Sequence, residues 1–181
     1  MPTDAGFCAQ RTILVIEDDP NDQFFILEAF RAAGCTNPIQ FAKSGSEAIA
    51  YLMAEGRFAD REAFPYPAFV TTDLKMAGGD GFAVLEHLLS MPDRRVASVV
   101  VLSASVDQDD INRAYLLGAS SYHVKPLGFC ELRRQVKVLH DYWMTFLVPR
   151  VDAGGSLLWT GCTGKLGEGA AGAEKGRRRG K

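Results

Sequence analysis

Acidic, hydroxyl and lysine side chains follow four short apolar runs of this chain, each at the point where the run ends. In chain order, these side chains belong to Glu17 and Asp18, Asp73, Ser103 and Lys125. If the apolar runs are parallel strands, their carboxyl ends lie at one edge of one sheet, and the four groups share a cleft. Carboxylates, a hydroxyl and a lysine in one cleft are suited to hold a divalent cation beside a phosphoryl group.

The chemistry expected of this cleft is phosphoryl transfer to a carboxylate. Asp73 is the candidate nucleophile, because its carboxylate can attack phosphorus to give an acyl phosphate. Glu17, Asp18 and Asp73 would repel one another at short range, and a bound Mg²⁺ relieves this repulsion while taking oxygen ligands. Lys125 would neutralise the phosphoryl oxygens, and Ser103 would donate a hydrogen bond to the bound group.

Five apolar runs alternate with helical patterns, which is typical of a parallel sheet covered by helices. The strands are predicted at about residues 12–16, 38–41, 69–72, 98–102 and 121–124. Such a sheet binds ligands where its strand order reverses, which here lies between strands one and three. The sequence therefore predicts an α/β fold, a doubly wound five-stranded parallel sheet of order 2-1-3-4-5 with helices on both faces.

Capping residues and glycines mark where the helices begin and end. The predicted N-caps are Asp19 (with Pro20 after it), Ser44 (in a capping box over residues 44–47) and Asp107. The glycines predicted to end the same three helices are Gly34, Gly56 and Gly118. Two further helices are predicted over about residues 82–90 and 127–147, and residues 57–67 are predicted to form a longer surface loop.

The last helix carries an apolar stripe with spacings of four, three, four and three residues. Its members are Leu132, Val136, Leu139, Trp143 and Phe146. The first half of the stripe is expected to face the core of the domain. Near Trp143 and Phe146 two interpretations stay open, a continued core-facing stripe or the seam of a homodimer where the helix extends past the sheet.

Charge and composition change near residue 149. Residues 1–148 carry 13 Lys and Arg against 19 Asp and Glu, whereas residues 149–181 carry 7 against 3. The acidic body offers no basic face for nucleic acid. We predict one domain at residues 10–148 and a disordered, Gly-rich basic tail at residues 149–181, which has too little apolar surface to offset its ordering entropy. For the basic triplet at residues 177–179, a solvated tail is favoured over a contact with nucleic acid or an acidic partner.

Cysteine spacing and apolar run lengths bear on cellular location. The four cysteines lie far apart, at Cys8, Cys35, Cys130 and Cys162. Without a Cys-x-x-Cys pair, they favour a reducing cytoplasm over a disulfide scaffold or a zinc site. Every apolar run is shorter than the roughly 20 residues of a membrane helix, and the N-terminus shows no secretory signal. We therefore expect a cytoplasmic protein without a membrane segment.

Five segments together resemble the receiver domain of two-component response regulators. They are ILVIED at residues 13–18, DLKM at 73–76, DGF at 80–82, VLSA at 101–104 and KP at 125–126. The resemblance covers about residues 10–148. The EDDP segment at residues 17–20 and the Tyr-Trp pair at 142–143 are most similar to the single-domain type that partners bacterial phytochrome kinases. The resemblance implies a flavodoxin-like fold.

The same resemblance implies a phosphoacceptor and a metal site. Asp73 would accept phosphate from a phosphohistidine, either of a sensor histidine kinase (the phytochrome type being one candidate) or of a histidine phosphotransfer protein. Asp18, Asp73 and the backbone carbonyl of Lys75 would ligate Mg²⁺, with Glu17 acting through water.

Further roles follow from the resemblance for residues around the phosphoryl group. Lys125 and Ser103 would contact that group, and Tyr122 would be the aromatic switch that turns inward when Ser103 moves toward the phosphate. Lys75 and Ser105 match positions at which the family tunes the lifetime of the acyl phosphate.

The expected output is contact with another protein or phosphate relay, because no DNA-recognition helix is visible after residue 148. We expect a signalling switch and not an enzyme, and two alternatives stay open. A degenerate receiver could act as a constitutive binding module, although Asp73 and its partners are retained. An aspartyl-phosphate hydrolase would use the same nucleophile, but it needs an acid where Lys75 stands. Ala77 replaces the usual proline after the phosphoacceptor, which predicts a looser loop.

Overall fold

Strands and helices alternate along the chain in the computed structural model, which describes residues 12–76, 81–91 and 97–145. The strands are β1 (Ile13–Ile16), β2 (Ile39–Ala42), β3 (Phe69–Thr72), β4 (Ser98–Ser103) and β5 (Ser121–Val124). The helices are α1 (Pro20–Ala32), α2 (Gly45–Met53), α3 (Gly81–Ser90), α4 (Gln108–Leu116) and α5 (Phe129–Met144), and a 3-10 helix spans Gly56–Phe58.

The five strands form one parallel sheet in the order β2-β1-β3-β4-β5. The strand order therefore reverses between β1 and β3, as the sequence predicts. Side chains of β1 alternate between two apolar cores, Leu14 and Ile16 packing in the core with α2 and α3, and Ile13 and Val15 in the core with α1 and α5. Helices thus cover both faces, which confirms the doubly wound fold.

The start of α1 confirms the predicted cap. Asp19 accepts hydrogen bonds from the backbone N–H groups of Asn21 (2.7 Å) and Asp22 (3.3 Å), and Pro20 occupies the first helical position. This short connection from β1 places the first turn of α1 at the carboxyl edge of the sheet.

The predicted helix after Ser44 runs to Met53, but the residue that terminates it is Ala54 and not the predicted Gly56. Ala54 adopts a left-handed conformation with φ of 57°, and Gly56 begins the 3-10 helix. Arg61 stabilises this end of the helix. Its guanidinium donates hydrogen bonds to the carbonyls of Tyr51 and Leu52, both at 2.8 Å, and so satisfies acceptors that the last turn leaves open.

Residues 57–67 begin within the 3-10 helix and form a loop without strand or α-helix, and most of its side chains are exposed or half-buried. Phe58 is an exception, because it is buried and its ring lies 5.1 Å from the rings of both Tyr51 and Phe64. The hydroxyl of Tyr51 donates a 2.7 Å hydrogen bond to the carbonyl of Pro65. The aromatic side chains therefore anchor this segment to α2. The prolines and polar residues of the segment indicate a loop in the sequence and do not predict this contact.

Helix α5 begins at Phe129, two residues later than predicted, because Gly128 has an extended backbone and Leu127 is fully exposed. The first half of its stripe is buried as expected, at Leu132, Val136 and Leu139. Trp143 is half-buried and stacks on Phe69 of β3 with 6.1 Å between ring centroids, so the core-facing stripe continues to this residue. The homodimer stays a prediction. Phe146, the predicted end of this helix and the tail at residues 149–181 lie outside the described residues.

Candidate functional site

The parallel sheet brings the predicted strand-end residues into one cleft, because β1, β3, β4 and β5 end at the same edge. The ammonium Nζ of Lys125 lies 2.6 Å from Glu17 Oε2 and 2.9 Å from Asp73 Oδ2. The hydroxyl of Ser103 lies 2.7 Å from Asp73 Oδ1. Lys125 therefore contacts residues that lie more than 50 positions earlier in the chain, as the pattern of strand ends predicts.

Asp73 is a buried carboxylate held by three donors. Its Oδ1 accepts hydrogen bonds from the Ser103 hydroxyl and from the backbone N–H of Lys75 (2.9 Å), and its Oδ2 accepts from Lys125. Burial favours the neutral acid, but these three donors outweigh it and hold the pKa of Asp73 below its ordinary value. The side chain is therefore ionised at neutral pH, which a nucleophile requires.

Glu17 is the second buried carboxylate, at 2% exposure. It accepts hydrogen bonds from Lys125 and from the backbone N–H of Asp19 (3.2 Å). Burial raises the pKa of Glu17 above its ordinary value, and the nearby charge of Asp73 acts in the same direction. Asp18 follows Glu17 directly and is half-buried at the same strand end.

Lys125 contacts a third carboxylate that the sequence analysis did not assign to the site. Asp22 Oδ2 lies 2.7 Å from its Nζ. Burial lowers the pKa of this lysine, but its three carboxylate partners outweigh burial and raise the pKa above the ordinary value. A signal was present in the sequence, because Asp22 stands three residues after the N-cap Asp19 in a helix that starts at the strand edge. The sequence pattern of this turn is interpreted above only as a helix cap.

Gly81 lets α3 approach the end of β3. A Cβ added at Gly81 would clash with the backbone oxygen of Asp73 and would lie 2.6 Å from Thr72 Oγ1, closer than atoms can pack. Ala77 and Asp80, which belong to the same loop, lie outside the described residues.

The oxygen donors of the cleft fit a hard divalent cation. Glu17 and Asp73 share one charge partner, and Asp18 follows at the same edge; carboxylate oxygens are the ligands that Mg²⁺ prefers. Within residues 12–76, 81–91 and 97–145, however, no three His, Cys, Asp or Glu side chains form a metal site among themselves. A cation here would need a backbone carbonyl and water as well, which agrees with the predicted part of Lys75.

Tyr122 links the cleft to the loop before α4. Its ring is half-buried, and its hydroxyl donates a 2.9 Å hydrogen bond to the backbone carbonyl of Ser105. Burial raises the pKa of Tyr122, which keeps the hydroxyl protonated and able to donate. The Ser105 hydroxyl in turn donates to Asp110 of α4 (2.6 Å), whose carboxylate also pairs with Lys75 (2.7 Å).

An apolar cavity of about 290 Å³ opens beside Lys125. Its walls include Asp22 and Ala104 at the cleft and Phe25 and Phe129 further out. Phe25, Leu127 and Phe129 of its lining are exposed, and the exposed ring of Phe24 packs edge-on against Phe25. These four side chains form an apolar rim near Lys125.

Comparison with known proteins agrees with this geometry. Residues 13–137 match the model of the response regulator receiver domain. The chain belongs to this family. A curated relative, the probable methanogenesis regulatory protein FilR2 of Methanothrix harundinacea, is 34% identical over 73% of this chain and 83% of its own length. The protein is therefore a receiver domain of the two-component response regulators.

Solved structures of phytochrome response regulators have the same fold. RPA3017, from red light signaling of R. palustris, is 32% identical with a TM-score of 0.74, over 78% of this chain and 99% of its own. The phosphorylated cyanobacterial phytochrome response regulator RcpA is 31% identical with a TM-score of 0.72, over 78% and 100%. The Mn(2+)-bound form of Rcp1, a response regulator of Synechocystis, is 27% identical with a TM-score of 0.69, over 77% and 99%.

These comparisons confirm the predicted family and its resemblance to phytochrome response regulators. One of these relatives was solved in a phosphorylated form and another with a divalent metal bound. Among the helices that the structure describes, none has the length and apolar character to cross a membrane.

Proposed function

We propose that Asp73 is the residue of this receiver that takes the phosphoryl group. The observation that carries this proposal is the environment of its carboxylate, which is buried, ionised and flanked by the Ser103 hydroxyl and the Lys125 ammonium. Both neighbours donate hydrogen bonds through groups at the ends of rotatable side chains. They can therefore move from the carboxylate of Asp73 and donate to phosphoryl oxygens.

In the proposed transfer, an oxygen of Asp73 attacks the phosphorus of a phosphohistidine. The bond between phosphorus and the imidazole nitrogen breaks, and the nitrogen keeps the electron pair. Lys125 and Ser103 then donate to the phosphoryl oxygens. Asp18, Asp73 and the Lys75 carbonyl would hold Mg²⁺, with Glu17 acting through water, and the bound ion would supply positive charge at the same oxygens.

The phosphodonor is proposed to be a sensor histidine kinase or a histidine phosphotransfer protein. The apolar rim of Phe24, Phe25, Leu127 and Phe129 supports a protein donor, because exposed apolar side chains beside a reactive cleft favour docking of another protein. The likeness to RPA3017 and RcpA supports a kinase of the phytochrome type.

The free thiols of Cys35 and Cys130 support a cytoplasmic location.

The output is proposed to be a change of a protein-interaction surface and not catalysis. When Ser103 turns toward a phosphoryl group, the position of Tyr122 is proposed to change with it. Because the Tyr122 hydroxyl donates to the Ser105 carbonyl, this change also moves the loop before α4. A hydrolase is disfavoured because Lys75, at the position of its general acid, pairs with Asp110. A constitutive binding module would not need an ionised Asp73 in contact with Ser103 and Lys125.

Intact-mass spectrometry after incubation with acetyl phosphate tests this proposal. We expect one added phosphoryl group in the wild type with Mg²⁺, and none without Mg²⁺ or in Asp73→Asn. Asp141→Asn is the matched control, because Asp141 is exposed on α5 and pairs only with side chains of that helix.

An adduct that persists in Asp73→Asn would assign phosphorylation to another residue and contradict the proposal. A folded wild type that neither takes up phosphoryl nor releases inorganic phosphate would favour the constitutive module.

A further inference from the structure

Asp110 of α4 binds two residues that stand on either side of the cleft. Its carboxylate accepts a hydrogen bond from the Ser105 hydroxyl at 2.6 Å and pairs with the Lys75 ammonium at 2.7 Å. Ser105 follows β4 and Lys75 follows β3, and these strands are neighbours in the sheet. Asp110 therefore bridges the two loops that flank the phosphoacceptor.

Each partner of Asp110 is also connected to the phosphoacceptor. The backbone N–H of Lys75 donates to Asp73 Oδ1 at 2.9 Å. The backbone N–H of Ser105 lies 3.5 Å from the hydroxyl of Ser103, which itself donates to Asp73. A continuous set of contacts thus runs from the first turn of α4 to the reactive carboxylate.

The side chain of Lys75 has an exposure of 59%, so solvent would screen an isolated ion pair at this place. The carboxylate of Asp110 is better enclosed, at 17%, and lies near the N-terminus of α4, where a helix favours negative charge. Its bond from Ser105 holds it in one orientation. The lysine therefore meets a fixed carboxylate, which lowers the entropy cost of ordering the lysine side chain.

We propose that Asp110 is a positioning residue that slows hydrolysis of the acyl phosphate by holding Lys75 in place. This inference rests on the proposed phosphorylation of Asp73. By pairing with the Lys75 ammonium, Asp110 restrains the residue whose backbone N–H binds Asp73 and whose backbone carbonyl is the proposed metal ligand. It also keeps the two flanking loops together, which limits the directions from which water approaches.

The reaction affected is the loss of the phosphoryl group to water. A water oxygen attacks phosphorus, the bond from phosphorus to the Asp73 oxygen breaks, and the electron pair returns to the carboxylate. Inorganic phosphate and a proton leave. A looser Lys75 loop gives water more approaches to the phosphorus and weakens the fixed geometry that protects it.

The test follows the decay of the phosphorylated full-length chain. Wild type, Asp110→Ala, Lys75→Ala and the double variant are phosphorylated with acetyl phosphate and Mg²⁺, freed of the donor, and sampled by intact-mass spectrometry. We expect Asp110→Ala to lose phosphate roughly fivefold faster, a change of the size that one partly exposed charge pair produces. The double variant should decay at the rate of Asp110→Ala, because the contact between Lys75 and Asp110 is already lost in that variant.

Two further variants separate positioning from a general loss of structure. Asp109→Ala removes a neighbouring exposed carboxylate of α4 and should decay at the wild-type rate. Lys75→Arg keeps a cation that can pair with Asp110 and should decay more slowly than Lys75→Ala. General damage to the structure would not be repaired by this conservative change.

The proposal is overturned if phosphorylated Asp110→Ala decays at the wild-type rate or more slowly, or if the effects of the two single variants add in the double variant. Absence of phosphorylation in the wild type would overturn the proposed function and this inference together. These failures are distinguishable, because the first leaves the wild-type adduct intact.

Discussion

Lys125 carries the positive charge around which the carboxylates of the cleft are arranged. Its ammonium contacts Glu17, Asp22 and Asp73 within 2.9 Å. Two of these carboxylates are buried, so their charges depend on this partner more than surface charges would. The cleft is therefore stable in the absence of metal because of the same residue that is proposed to bind the phosphoryl group.

Lys125→Met should make the free energy of unfolding lower at high pH than at low pH. Without the ammonium, the pKa values of Glu17 and Asp73 rise in the folded state. A carboxyl whose pKa is raised by folding lowers stability at high pH, and the stability returns as the pH falls through the raised pKa. We expect the free energy of unfolding without metal to fall by about 3 kcal/mol at pH 8, and by less at pH 5. Urea titrations at both pH values measure this difference.

Lys137→Met is the control for this measurement, because Lys137 pairs with the exposed Asp141. An equal loss of stability at pH 5 and pH 8 in the Lys125 variant would show that burial of unpaired carboxylates is not the cause.

Helix α2 and the segment after it form a unit held by one arginine. Arg61 donates to the carbonyls of Tyr51, Leu52 and Phe64, and the aromatic rings of this unit pack edge to face. Burial lowers the pKa of Arg61, but a guanidinium stays charged, and hydrogen bonds from a charged donor are stronger than neutral ones.

Arg61→Ala should lower the free energy of unfolding by about 2 kcal/mol, because three partly buried carbonyls lose a charged donor. The level of phosphorylation should not change, since the carbonyls that Arg61 binds belong to α2 and to the segment after it. Urea unfolding and intact mass measure the two effects. Arg31→Ala, which removes an exposed ion pair with Glu28, is the control and should cost less than about 0.5 kcal/mol. Equal losses in both variants would contradict the part assigned to Arg61.

The whole domain places its acidic cleft on one edge of a sheet whose two faces are buried by helices. A cation bound in this cleft would therefore stabilise the folded domain, because the cleft does not exist in the unfolded chain. The homodimer through the last helix and the disordered tail stay predictions. Among the described residues of α5, the large apolar side chains that are exposed are Phe129, Val138 and Tyr142.

Mg²⁺ should raise the thermal stability of the domain by binding the native state alone. At a concentration ten times its dissociation constant, the gain is about 1.4 kcal/mol. Differential scanning calorimetry with MgCl₂, against NaCl of equal ionic strength, measures the shift of Tm. Asp18→Asn should show a smaller shift, because one proposed ligand loses its charge. The same shift in both proteins would place the cation outside the cleft.

Local patterns in the sequence were enough for the order of strands and helices, most caps and the strand-end residues of the cleft. Each depends on neighbours along the chain, such as Asp19 before Pro20, or on the rule that parallel strands end at one edge. That Ala54 and not Gly56 terminates α2 could not be predicted in this way, because Arg61 binds the carbonyls of the last turn from nine and ten residues away.

Contacts between distant side chains were decided by packing alone. The bond from Lys125 to Asp22, the stacking of Trp143 on Phe69 and the pairing of Lys75 with Asp110 each join different elements. Capping rules and periodicity constrain residues a few positions apart, whereas these distances depend on how whole helices lie on the sheet. The sequence thus determined which groups meet at the edge, and the packed helices determined which of them bind one another.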